Sequence, residues 1–199
     1  MGKTALFARK QAGGAFVFTD ETQTTGELFF VHSGTGTDGA GYGKNHDAPL
    51  ATIDYAIVLC TANKGDRIIV MPGHSETLTA AGAITADVAG ISIIGMGNGS
   101  NRPTLSFGAT AATFAISAAD VLVKNIRVTA SIDEVVKLFN VTGAGCTLDA
   151  VDYFETASCQ AIQFLLTTAA ADQLTIKNCQ HRQANAAGSA QAWIQLVGC

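Results

Sequence analysis

One short phrase occurs four times from residue 90 onward: "GISIIGMGN" from residue 90, "DVLVKNIRV" from 120, "GCTLDAVDY" from 145 and "QLTIKNCQH" from 173. Each opens apolar-x-apolar, breaks for two residues and usually returns to an apolar position. With Ile93, Val123, Leu148 and Ile176 taken as equivalent, the spacings are 30, 25 and 28 residues. A period of about 20 to 50 residues belongs to solenoids, where each repeat is one turn of a coil. A second set of runs precedes the first within each repeat: "PTLSF", "ATFAI", "VVKLFNV", "AIQFLL" and "AWIQLV". Repeats made of short strands without a helical period have one economical solution, in which equivalent strands stack into parallel sheets. Alternate residues then line the interior, here Ile91 and Ile93, Val121 and Val123, Cys146 and Leu148, Leu174 and Ile176. Asn125 and Asn178 fall at the same place in their repeats, a corner where a side-chain amide satisfies bent backbone groups.

Ahead of the repeats the pattern differs. "GAFVF" and "ELFFV" read as short strands, and "SGTGTDGAGYGKN" reads as a loop. It contains GxGxxG at 34–39, but without the strand-then-helix setting of a dinucleotide site. From Thr52 to Thr61, Ile53, Ala56, Ile57 and Cys60 recur at spacings of three and four, which predicts one short helix with Thr52 as its N-cap.

Composition narrows the functions open to such a coil. A net charge of -4, with twelve scattered Lys and Arg residues, provides no electrostatic footprint for nucleic acid. No apolar stretch reaches the roughly 18 residues that span a bilayer, so no membrane partner is expected. Five cysteines, at 60, 146, 159, 179 and 199, form no CxxC pair and argue against both a disulfide framework and a zinc knuckle. No cofactor or metal is expected.

The stretch from "DAPLATIDYAIVLC" through "GDRIIVMPGHSET" to "NRPTLSF", residues 47–107, resembles pectate-lyase-like right-handed β-helix proteins encoded among the virion structural genes of tailed bacteriophages. The likeness continues more weakly over 28–199. It implies an all-β, right-handed parallel β-helix in which "ATIDYAI" is a capping helix and "GDRIIVMPGHSET" the first rung. It also implies a part of a virion, assembled in the host cytoplasm. The organisation expected is an N-terminal arm over 1–27, a loop and capping helix over 28–65, and the coil over 66–199.

Family members that cleave polysaccharide need acids holding calcium on one sheet beneath a basic residue. This chain offers mixed charge instead: Arg127, Asp152 and Gln180 or His181 outside one sheet, with Lys124, Asp149 and Lys177 nearby. Such alternation reads as a solvated face with cross-strand pairs. Asp149 and Asp152 are candidates for a glycosidase pair, but no aromatic platform recurs beside them. His46 and Asp47, with Asp38 by the glycine loop, make an incomplete metal-ligand set and read as loop solvation. His74 follows "PG" at the end of an apolar run, and Pro72, Gly73 and His74 read as a structural corner that His74 and Glu76 decorate. No catalytic residue is assigned.

The reading is therefore a capsid decoration or cement protein without catalytic activity, against the alternative of a polysaccharide-binding or polysaccharide-degrading tailspike. Expected partners are two further copies in a homotrimer, the major capsid protein or neighbouring virion proteins, and a host-surface glycan. Lys3, Arg9 and Lys10 in the arm, with Trp193, Ile194, Leu196 and Val197 in the last rung, are the expected partner contacts.

Overall fold

The computed structural model describes residues 26–156, 159–184 and 192–196. The chain enters through β1 (Leu28–Val31), crosses the glycine loop and forms the helix α1 (Ile53–Val58). Five triplets of strands follow: β2 (Arg67–Val70), β3 (Ser75–Leu78) and β4 (Ile84–Ala86); β5 (Ser92–Gly95), β6 (Thr104–Phe107) and β7 (Phe114–Ile116); β8 (Leu122–Lys124), β9 (Arg127–Ala130) and β10 (Phe139–Val141); β11 (Thr147–Asp149), β12 (Asp152–Phe154) and β13 (Gln163–Thr167); and β14 (Thr175–Lys177), β15 (His181–Arg182) and β16 (Ala192–Gln195). The first members of the triplets stack on β1 as β1-β2-β5-β8-β11-β14, the second as β3-β6-β9-β12-β15 and the third as β4-β7-β10-β13-β16. We call these sheets I, II and III. Every strand pairing is parallel. The chain is a right-handed parallel β-helix of about 4 turns.

The register of sheet I is the one the repeat predicts. Ile68 lies on Ile93, Ile93 on Val123, Val123 on Leu148 and Leu148 on Ile176. A one-residue slip would turn every inward side chain to solvent, so the alternation of burial holds the strands in place. Ile91, Ile93, Val121, Val123, Cys146 and Leu148 are enclosed, whereas Leu174 and Ile176 are partly buried against the core. In sheet III the interior carries a stack of rings, Phe114, Phe139 and Phe164, with successive centroids 5.3 Å apart.

Three expectations change. "PTLSF" does not belong with "ATFAI" and its equivalents: β6 stacks between β3 and β9 in sheet II, while β7 stacks in sheet III. The two-residue break in "DVLVKNIRV" and "GCTLDAVDY" is thus a corner between two sheets, and each turn has three walls. The coil also starts before residue 66, because β1 pairs residue for residue with β2 from Leu28↔Arg67 to Val31↔Val70. Finally, the helix is six residues rather than ten. Its buried stripe is Ile53, Ala56 and Ile57, and Thr52 caps it, its Oγ1 accepting the N–H of Tyr55 at 3.3 Å. The helix packs on β4, β1 and β2 and closes that end of the core. The arm expected over 1–27 lies outside the described residues except for its last two positions, and Lys3, Arg9 and Lys10 lie outside them.

Candidate functional site

The "MPGH" corner is a turn in which Pro72 and Gly73 occupy the central positions, Gly73 at φ +81°, and His74 N–H donates to Met71 O at 3.2 Å. Proline supplies the first central φ and glycine the positive second one, the chemistry of a type II turn. His74 does not decorate it. The residue is 1 % exposed, its Nδ1 accepts the backbone N–H of Ser33 at 3.1 Å, and its Nε2 lies 3.2 Å from Glu76 Oε2. The sequence places a polar residue after a turn and says nothing of the loop that folds over it.

The glycine loop is organised by Asp38. Its carboxylate accepts the N–H groups of Ala51 at 2.8 Å and Thr52 at 3.1 Å, and the Thr52 hydroxyl at 2.8 Å. Gly36 is required by packing, since a Cβ there would lie 2.1 Å from Leu50 O. His46 and Asp47 pair with each other at 3.2 Å on the surface.

Asn125 and Asn178 hold the corners between sheets I and II in the left-handed region, at φ 57° and 55°. The Asn125 amide donates to Gly95 O at 2.8 Å and Gly97 O at 3.0 Å in the rung before, and that of Asn178 donates to Asp149 Oδ1 at 2.8 Å. Asn tolerates this conformation because its short side chain bonds locally. Ala150 takes the same corner in the rung between, at φ 53°, without that compensation.

Charged groups staple the rungs across these corners. Asp149 lies between Lys124 at 3.3 Å and Lys177 at 3.8 Å. The Asn178 amide holds its carboxyl below the ordinary value, the two ammonium groups adding to this and burial working against it. Asp152, in register with Arg127, is paired instead with Arg102, whose guanidinium also donates to Ala150 O. The other Asp152 oxygen accepts Gln180 N–H at 3.1 Å. Asp149 and Asp152 therefore stand on different sheets, either side of the Ala150 corner, each already engaged.

The outer face of sheet II bears a groove of about 480 Å³, lined in part by Arg127, Thr129, Phe154, Glu155 and Arg182. The Arg127 and Arg182 guanidinium carbons lie 4.5 and 5.5 Å from the Phe154 ring centroid. Arg127 is fixed by donating to Gly99 O at 2.8 Å. At the edge Glu155, 8 % exposed, takes the Nε2 of His181 at 2.7 Å, and the His181 ring stacks on Tyr153, centroids 5.1 Å apart. The Tyr153 hydroxyl, pushed up to about 12 by burial, accepts Ala161 N–H at 2.7 Å. Two cations, a ring and hydroxyls beside a Glu–His pair suit an anionic, hydroxyl-bearing ligand. Arg127 and His181 are legible here from the sequence, whereas Phe154, Glu155 and Arg182 are not, since Arg182 comes to lie beside Phe154 only through the stacking of rungs.

Of the expected partner contacts, Ile194 is half-buried and Leu196 exposed, both lining a cavity of about 460 Å³ whose walls mix Leu174 and Ile176 with Thr167, Asp172 and Gln173. Trp193 is a residue of β16, and Val197 lies outside the described residues. No protein-family model, no curated protein and no solved structure matches the chain.

Proposed function

We propose that this chain is a structural, non-catalytic part of a phage particle, a decoration or cement protein on the capsid surface. The resemblance of residues 47–107 to virion β-helix proteins suggests the setting. The observation that carries a structural role is the stapling of rung to rung: Arg102 to Asp152 and to the carbonyl of Ala150, and Asp149 between Lys124 and Lys177. Charges spent this way stiffen a coil instead of meeting a ligand. The proposed partners are two further copies, with Ile194 and Leu196 among the contacts, and the major capsid protein. Mass spectrometry of purified particles should find the chain at a fixed ratio to the capsid protein, and light scattering should give three times the chain mass. Particles without the chain, or a stable monomer, would refute the assignment.

A second reading rests on the groove of sheet II. Arg127 and Arg182 flanking Phe154, beside Glu155 and His181, favour binding of a carboxylated host-surface glycan. Binding of uronate oligosaccharides that is lost in Arg127→Gln, with no new reducing ends formed, supports recognition alone. Turnover would make the chain an enzyme and overturn the non-catalytic reading.

A further inference from the structure

Among the contacts that join the glycine loop and α1 to the first rung is one enclosed ring. The His74 side chain is 0 % exposed, and both ring nitrogens are used. A backbone N–H can only donate, so the Ser33 N–H at 3.1 Å requires a lone pair on Nδ1. Nε2 then carries the proton and donates to Glu76 Oε2. The same carboxylate oxygen accepts the N–H of Ile53, the first residue of α1, at 3.2 Å. Ser33 Oγ returns the connection by accepting Ser75 N–H at 2.9 Å. One neutral imidazole thus ties together the exit of β1, the start of α1 and the first strand of sheet II.

We propose that His74 is an acid-sensitive latch: the neutral ring clamps the glycine loop and the start of α1 to the first rung, and a second ring proton expels Ser33 and loosens this cap. On protonation Nδ1 becomes a donor facing another donor, in a site closed to water, and the bond to Ser33 cannot be remade. Glu76 accepts from Nε2 in either state, so the change on protonation falls on the Ser33 contact. The remaining charged groups around the ring are committed elsewhere. In the glycine loop, Asp38 holds Ala51 and Thr52. On α1, Asp54 accepts Thr85 N–H at 2.9 Å. On the segment beneath, whose Asn101 O accepts Gly73 N–H and whose Thr104 N–H donates to His74 O, Arg102 turns away to Asp152. His32, near Gly73, bonds Thr35 at 2.9 Å. The switch therefore resides in the one enclosed ring.

Amide hydrogen exchange followed by NMR on the full chain, from about pH 8 to about pH 5, tests this. Corrected for intrinsic exchange, the protection of the Ser33 and Ile53 amides should fall about tenfold across the range, the loss of one buried hydrogen bond. The Val123 amide, in mid-coil, should keep its protection. At pH 8 the ring nitrogen shifts should report the proton on Nε2. In His74→Gln, which gains no charge, the profile at Ser33 should be flat, and if that variant does not fold the native chain decides alone. Constant protection at Ser33, a proton on Nδ1 at pH 8, or loss at Val123 in step with Ser33 would each overturn the latch.

Discussion

Phe139 is the middle ring of the stack inside sheet III, and replacing it measures how far the coil behaves as a chain of nearest-neighbour contacts. Phe114 lies in register with it and Phe164 meets it from the following rung, each centroid 5.3 Å away. All three side chains are fully buried. Leucine at either Phe114 or Phe139 keeps most of the volume and costs roughly 1 kcal/mol for the change of shape. Beyond that, each ring pair lost costs about 0.5 to 1.5 kcal/mol. Phe139→Leu loses two pairs and Phe114→Leu loses the pair with Phe139, so Phe139→Leu should be the more costly by about 0.5 to 1.5 kcal/mol. Because both single variants remove the Phe114–Phe139 pair, the double variant should be less destabilised than the sum by a similar amount. Urea unfolding at fixed pH, with the slope checked for constancy across the variants, provides the four free energies. Equal costs for the two single variants together with additivity in the double would mean that the rings act only as filler, and that stability is not transmitted between rungs through them.

Three further outcomes are expected. Ala150→Gly should stabilise the fold by about 1 kcal/mol in the same assay, since it removes a Cβ from a left-handed corner while leaving the carbonyl that Arg102 uses; an unchanged midpoint would show that the corner is not strained. The Asp149 carboxyl is held below 3.8, first by Asn178, so its contribution is complete above that pH and is lost as pH falls through the lower folded value; Asn178→Gly, which keeps the left-handed backbone, should raise the Asp149 titration seen by carbon NMR and move acid unfolding to higher pH. Burial, with Asp66 nearby, pushes the Cys60 thiol up to about 12, so iodoacetamide at pH 8 should leave it unmodified in the folded chain and alkylate it in urea; rapid labelling of the folded chain would contradict its burial.

What the amino-acid order determined by itself is whatever has a local physical cause. Alternation of apolar residues sets which side chains of β2, β5, β8 and β11 face inward, and a slip of one residue would expose them all, so the register Ile93–Val123–Leu148–Ile176 was legible. Pro72 and Gly73 specify a turn through their own φ preferences, Asn125 and Asn178 specify left-handed corners through theirs, and Thr52 caps α1 three residues from the N–H it accepts. Tertiary structure decided what depends on residues brought together from afar. "PTLSF" is as apolar and alternating as "ATFAI", and only the number of walls per turn assigns them to sheets II and III. Ser33 lies 41 residues from His74, and Arg102 50 from Asp152. Between such partners the repeat changes length, so no fixed offset marks them. Burial turned His74 from an ornament of a corner into its clasp, because a loop with no periodicity of its own folded back across the first rung, and Asp152 pairs with Arg102 from two turns away while Arg127, in register with it, is engaged by Gly99 O and the Phe154 ring.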